Sequence, residues 1–379
     1  MRRFALVLAC ALSAFGQRHK MEEVDASKPE GRELQAILQE SDATRRTALM
    51  QQFVDQHPAE ASTPWVLEQL QAAYAKANDP DKTIATGEKL LALDAGDPGA
   101  ALECLKAAEA KKDYAAVRKW SDLASANARK AAEAPKPAGE EQAASWKDAV
   151  DYAKQVDTYA DYALFRASLE ATDPKVTIDM AEDLRARSPQ SEYAGKLAAP
   201  LFMAYRRANA NDKAVALAEQ AVANNQADED MLLVVADRYM QEKREPEKVH
   251  AYSLKIIDIM SSKPKPEGVA DADWTARKAL VMGLAYYMDG KLNYNENKFG
   301  PADQDLRKAL PLVQTNEALK PEVLFLLAHS NYKLATVKTP QRAQDAANYF
   351  RECAAIKSPY QTTAAANLKR IQTEYHGIK

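Results

Sequence analysis

The sequence predicts an all-α chain of short helices, paired antiparallel and stacked into a solenoid. Three observations carry this. Apolar residues recur at three- and four-residue spacing from about residue 31 almost to the C-terminus, the period of a helix with one buried face. Breakers, among them Pro58, Pro80, Pro98, Pro174, Pro189, Pro246, Pro301 and Pro340, cut that pattern into pieces of roughly one helix each. Glycine is scarce, 12 of 379 residues, while alanine fills about a fifth of the chain, which favours closely packed helices over turn-dense sheets. No stretch alternates apolar and polar residues as a half-buried strand does.

The N-terminus reads as an address. Met1-Arg2-Arg3 is a short positive start, Phe4 to Phe15 is apolar apart from Ser13, and Ala14-Phe15-Gly16 places small residues where a signal peptidase reads. Residues 1–16 are therefore expected to be a secretory signal cleaved before Gln17. The run is about twelve residues, too short to cross a bilayer, so no transmembrane segment is expected in the mature chain. A lipoprotein reading would use Val7-Leu8-Ala9-Cys10, where Leu8 fits poorly. Residues 17–30 are polar, contain Pro29 and show no period, the pattern of a flexible tether.

The expected helix pairs are 31–57, 63–93, 98–133, 140–187, 191–225, 228–262, 272–314 and 317–356. A last helix at about 360–375 would cover the final apolar face, as a terminal cap must. A Pro-rich linker at 263–271 divides this array into repeats at 31–262 and a C-terminal part at 272–379.

The repeat has a period. Tyr74 precedes Ala108 by 34 residues, and Tyr205 precedes Tyr239 by 34. Tyr205 is followed by Asn211-Asp212-Lys213-Ala214 and Ala221, and Tyr74 by Asp79-Pro80-Asp81-Lys82 and Leu90, ending in Asp97-Pro98. Gly290, Phe299, Ala302, Leu306 and Ala309 form a third match, and Ala328, Tyr332, Ala346, Phe350, Cys353 and Pro359 a fourth. In these positions the sequence resembles the tetratricopeptide repeat (TPR) family, over about residues 31–375. The resemblance implies a right-handed α-α superhelix of about eight helix pairs plus a capping helix. It also implies that the first helix of each pair lines a concave groove that holds a segment of another protein. Projected onto this chain, the groove would be lined by Glu68, Lys76, Met203, Arg206, Arg207, Asp237, Met240, Ser330 and Lys333. The Lys and Asn clamp of chaperone-binding members is absent, since Glu68 and Ala72 stand at the corresponding sites. Gln56-His57-Pro58 and Ser188-Pro189-Gln190-Ser191-Glu192-Tyr193-Ala194 are similar to the junctions of bacterial outer-membrane assembly and cell-division coordinator repeats, though both lack the junction Tyr. That similarity, with the signal, implies a periplasmic or secreted protein of the bacterial envelope.

A larger duplication overlies the repeat. Residues 74–97 align without a gap on 205–228, with Tyr74/Tyr205, Asn78/Asn209, Asp81/Asp212, Lys82/Lys213 and Asp97/Asp228 matched. Pro135-Lys136-Pro137 then answers Pro264-Lys265-Pro266, Trp146 answers Trp274, and Tyr159 answers Tyr287. The repeat consensus accounts for the tyrosines and the Asp-Lys pairs, but not for a Pro-Lys-Pro linker followed by Trp in both places. We read a duplicated three-pair module, 63–187 and 191–314.

The chemistry is sparse. With 51 Lys+Arg against 54 Asp+Glu, a net charge of −3 and the signs interspersed, there is no electrostatic footprint for nucleic acid. The five His (His19, His57, His250, His329, His376) show no metal-ligand spacing, and no phosphate loop, dinucleotide fingerprint, nucleophile elbow or C-x-x-C occurs, so no metal, cofactor or catalytic residue is expected. Cys104 and Cys353 sit in helical patterns as small buried residues. The densest aromatic cluster is Tyr286, Tyr287, Tyr294 and Phe299 among Asn293, Asn295 and Asn297, a candidate recognition patch against the plainer reading of helix packing. The expected function is a non-catalytic scaffold for protein partners in the cell envelope. The alternative is a binding module for an envelope glycan or lipid.

Overall fold

The computed structural model describes residues 19–21, 24–375 and 377–378, so the expected signal at 1–16 lies outside the described residues. Among them there is no strand. The first helices are α1 (Pro29–Gln39), α2 (Ala43–Gln56), α3 (Thr63–Lys76), α4 (Pro80–Leu93), α5 (Pro98–Lys111) and α6 (Tyr114–Ala132). There follow α7 (Glu140–Glu170), α8 (Pro174–Arg187), α9 (Glu192–Lys196), α10 (Ala198–Arg207), α11 (Asn211–Ala223) and α12 (Glu229–Gln241). The chain ends with α13 (Pro246–Ser262), α14 (Asp271–Asn295), α15 (Phe299–Leu312), α16 (Lys320–Leu334), α17 (Pro340–Ala354) and α18 (Gln361–Glu374). The chain is all-α, and its helices follow the expected pairs except that α1 starts at Pro29, inside the expected tether, and α14 at Asp271, inside the expected linker; α18 lies where the cap was expected.

Local chemistry sets the ends. Asp42, Asp79, Asp97, Asp113, Asp173 and Asp228 each accept a backbone N–H from the first turn that follows. Each such cap contributes about 1 kcal/mol. Proline opens α4, α5, α8, α13 and α17, where its missing N–H would have had no helical acceptor. Several helices end in a left-handed residue, among them Asn78, Lys112, Asn209 and Lys243, with φ of 53–56°. Three of these turns close with the same backbone bond: Asp79 donates to the Tyr74 carbonyl at 3.0 Å, Asp113 to Ala108 at 3.1 Å and Arg244 to Tyr239 at 3.0 Å. The 34-residue period read from Tyr74 and Ala108 is thus a period of helix C-caps.

The chain divides into two compact units, one ending at Ala208 and the second covering Asn209–Lys379. The Pro-rich stretch expected to divide the repeats lies inside the second unit, because α13 and α14 pack on each other across it. In the first unit each helix packs on the next, and α3, α5, α7 and α9 also touch in turn. Phe53, Trp65, Leu67, Leu70 and Leu90 are the core of its N-terminal part. In the second unit α12, α14, α16 and α18 touch in turn in the same way. Its cores centre on Ile256, Met260, Met288, Leu306 and Leu327, and on Leu324, Phe350, Cys353 and Ile371. α14 and α15 cross closely at a glycine: a Cβ on Gly290 of α14 would stand 2.7 Å from Leu306 Cγ and 3.2 Å from the Leu306 backbone nitrogen of α15.

The described part of the expected tether is packed on the array. Met21 and Val24, the apolar residues of that polar stretch, pack against the first core. The His19 backbone N–H donates to Glu68 Oε2 at 3.1 Å, and its Nε2 lies 3.2 Å from Asp97 Oδ2.

The two module copies share helix order and order of length. In the first, α3 to α6 have 14, 14, 14 and 19 residues, then α7 has 31. In the second, α10 to α13 have 10, 13, 13 and 17, then α14 has 25. The left-handed caps Asn78 and Lys112 answer Asn209 and Lys243 at one constant offset. A buried aspartate occupies the same place on both long helices, Asp161 and Asp289. The second copy starts differently. Pro200 has no N–H to offer the Lys196 carbonyl, and the expected single helix breaks at Leu197 into α9 and α10.

Candidate functional site

The projected groove residues are divided between the two units. In the first unit, Glu68 of α3 is half-buried under His19, and Lys76 is exposed in the last turn of α3. On α10, Met203 is 42% exposed and Arg206 and Arg207 stand exposed in the last turn. In the second unit, Asp237 is exposed and accepts from Gln241 Nε2 at 2.7 Å, Met240 packs against the core, and Lys333 is exposed in the last turn of α16. Ser330 is a correction. It is fully buried, because α16 is covered by α14, α15, α17 and α18 and buries Val323, Leu324, Leu326, Leu327, Ala328 and Asn331 around it. It lines no groove.

The aromatic patch is mostly packing. Tyr287 is buried, its hydroxyl accepts from Lys291 Nζ at 2.8 Å, and burial followed by the Glu322 carboxylate raises its pKa. Tyr286 is half-buried with the Lys308 ammonium 5.2 Å from its ring centre. Tyr294 sits edge-on to Phe299 at 5.8 Å and shares a 2.9 Å hydrogen bond with His329 Nδ1. Burial, then Lys333, lowers the His329 pKa, so this imidazole is held neutral inside the cluster.

The first unit has an open cavity of about 610 Å³ between Thr47, Gln51 and Asp55 of α2, Tyr74 of α3 and Lys82 of α4, and an aromatic trough. A cavity of about 470 Å³ is lined by Lys154, Gln155, Thr158, Tyr159 and Tyr162 of α7 and by Tyr193 of α9. The five α7 residues lie on one stripe, because 154, 158 and 162 are successive turns of a helix. Tyr193 reaches α7 from the short helix ahead of the Pro200 break. Its ring lies 5.6 Å from Tyr162 and 5.5 Å from Phe165, and Tyr159 lies 6.0 Å from Tyr162. Interplanar angles of 60° and 59° open the tyrosine rings into a V. Tyr159 is pinned from behind, its O–H donating to Glu109 Oε2 of α5 at 2.8 Å, and burial, then that hydrogen bond, raises its pKa. Lysines ride on the rim, Lys106 5.8 Å from the Tyr159 ring centre and Lys196 5.4 Å from that of Tyr193. A ring face attracts a cation and stacks on saturated or aromatic rings. The trough presents ring faces, and no carboxylate lines it. Sequence reasoning noted Tyr159 only as a mark of duplication and Tyr193 only as part of a junction.

The equivalent place in the second unit is built otherwise. Gly290 stands where α7 has Tyr162, and Tyr287 is capped by Lys291, which also pairs with Glu322 of α16 at 2.7 Å. The buried Asp289 is met by His250 Nδ1 at 2.6 Å. Burial, then the negative charge of Asp289, raises the Asp305 pKa. A carboxyl raised in the fold favours folding below its ordinary value, and that contribution is lost as pH rises through the raised value. Asp305→Asn should therefore raise the thermal midpoint of the second unit at pH 7, with the gain vanishing near pH 4, as read by melts across that range.

No protein-family model matches the sequence, and no curated protein matches it. Among solved structures the chain is similar to the P58(IPK) TPR domain at 10% identity and a TM-score of 0.27, covering 92% of this chain and 100% of that one. It is also similar to yeast Tom70 at 13% identity and a TM-score of 0.23, covering 92% of this chain and 76% of that one. Likenesses of this strength say nothing about a site or a partner.

Proposed function

We propose that the chain is a non-catalytic scaffold that holds a segment of a protein partner, with the tyrosine trough of α7 and α9 as its main contact. The observation that carries this is the trough itself: three partly exposed tyrosines in one open cavity, a residue type over-represented where proteins meet. The non-catalytic reading is supported by the direction of the shifts. Burial pushes the Cys104 thiol up to about 12 and Cys353 to about 11, which leaves both as thiols rather than nucleophilic thiolates. The signal layout of residues 1–16 and the two junction motifs support a place in the bacterial envelope, periplasmic or secreted. No described helix is long and apolar enough to cross a membrane.

The test is a crosslinked pull-down from envelope extract with the full chain and its Tyr162→Ala/Tyr193→Ala variant, read by mass spectrometry. We expect one or two proteins retained by the parent and lost by the variant. Proteins retained equally by both would move the contact elsewhere, and retention of glycan or lipid instead of protein would overturn the scaffold reading.

A further inference from the structure

The trough has a chemical bias that narrows what it takes. Three of its polar groups can donate and have no acceptor among the described residues, and one of them, the Lys154 ammonium, can only donate. The Lys154 ammonium has no carboxylate within ion-pair distance, although Lys106 and Lys196 are paired with Glu103 at 2.8 Å and Glu192 at 2.9 Å. The Tyr193 hydroxyl and the Gln155 amide likewise have no partner there. The Arg166 guanidinium sits by the Tyr162 hydroxyl oxygen, so the O–H of that group is directed away from it. No carboxylate lines the cavity. A sugar presents hydroxyls that donate as well as accept and gains from charged acceptors, which are missing here. An ordinary extended peptide presents an N–H on every residue. A run of prolines presents only carbonyl acceptors and flat saturated rings.

The shape agrees with the chemistry. From Lys154 to Tyr162 the stripe on α7 is about 12 Å long. Polyproline II rises about 3.1 Å per residue, so four residues match that length. Rings set at 59–60° to one another leave wedges for a pyrrolidine ring, and a stiff polyproline helix loses little entropy on docking. The unpaired Lys154 favours an acid beside the prolines.

We propose that the α7–α9 trough binds a proline-rich, acid-flanked segment of another protein in the polyproline II conformation. Tyr159, Tyr162 and Tyr193 hold the rings, and Lys154 meets the acid. This rests on the scaffold reading above and names the partner chemistry of the same site.

Titration calorimetry of the full chain with acetyl-Asp-Pro-Pro-Pro-Pro-Gly-amide tests it, beside the same peptide with alanine for proline and beside cellohexaose. The proline peptide should bind at least about tenfold more tightly than the alanine peptide, and Tyr193→Ala should weaken it by about tenfold. Lys154→Glu, at an exposed position that leaves the core untouched, should weaken it several-fold and keeps the test decisive should the tyrosine variant misfold. Equal binding of the two peptides, no binding of either, or indifference to Lys154→Glu would overturn the inference. So would binding of cellohexaose that is lost in Tyr193→Ala. If the proline peptide fails while the pull-down still loses its proteins in the double tyrosine variant, the scaffold stands and only this partner chemistry falls.

Discussion

Arg187→Met should destabilise the first unit by about 3–5 kcal/mol, the cost of stripping the partner from a buried charge. Arg187, in the last turn of α8, gives Nη2 to Asp161 at 2.9 Å and Nη1 to Asp122 at 3.0 Å and to Ser121 at 3.1 Å. Its side chain is 14% exposed and that of Asp161 only 8%. Without the guanidinium, Asp161 keeps only the Ser188 hydroxyl at 3.0 Å, too little for a carboxylate out of water. α6, α7 and α8 also lose one of the two arginines that join them, Arg129 being the other. Urea denaturation followed at 222 nm reads the loss. The control is Arg187→Met/Asp161→Leu, which removes both charges and should recover most of it, because a buried pair is worth little against apolar side chains of similar size. A double variant no better than the single one would show that the guanidinium acts through packing, not charge.

Asp303→Ala should cost the second unit about 3 kcal/mol, at the lower end of that range. The Asp303 carboxylate has a side chain 3% exposed and accepts from Arg307 Nε at 2.8 Å, from Asn331 Nδ2 at 2.6 Å and from Arg342 Nη1. It thereby ties α15 to α16 and α17. Here the groups left behind are the buried Asn331 amide, whose Nδ2 keeps the Leu327 carbonyl at 2.9 Å, and two arginines, each 37% exposed, which can turn to water. Arg307 also keeps Asp345 and Tyr349. The asymmetry decides the ranking: removing the cation at Arg187 strands an anion indoors, whereas removing the anion at Asp303 strands cations that have a way out. Amide exchange should show α16 and α17 losing protection in Asp303→Ala while α3 to α6 keep theirs.

What was legible in the sequence follows from how local each feature is. Aspartate before a helix, proline at its first residue and a tolerant residue after its end act within four or five positions, so the helices of the array were readable from letters. The pairing Asn78/Asn209 was readable as part of the duplication, but that Asn78, Lys112, Asn209 and Lys243 are equivalent left-handed caps came only from the backbone. The trough was not readable. It needs Tyr193 turned onto α7, which depends on the break ahead of Pro200 and on residues more than thirty positions apart. Ser330 failed for the opposite reason. A hydroxyl in the right turn of a first helix projects into a groove only where that face is left open, and the neighbours of α16 cover it. The tyrosines around 287 were dense in sequence, yet α15 and α16 close over them.

Within each unit the packing joins every helix to the next or the next but one. That has a consequence in time rather than in shape. Contacts between near neighbours close short loops, so the entropy of closure is met in small steps and no distant strand must be found. Each pair can settle on the pair before it as soon as its own helices have formed. The first unit is therefore suited to assemble from its N-terminal end while the rest of the chain is still being made, with little apolar surface left waiting for a later partner.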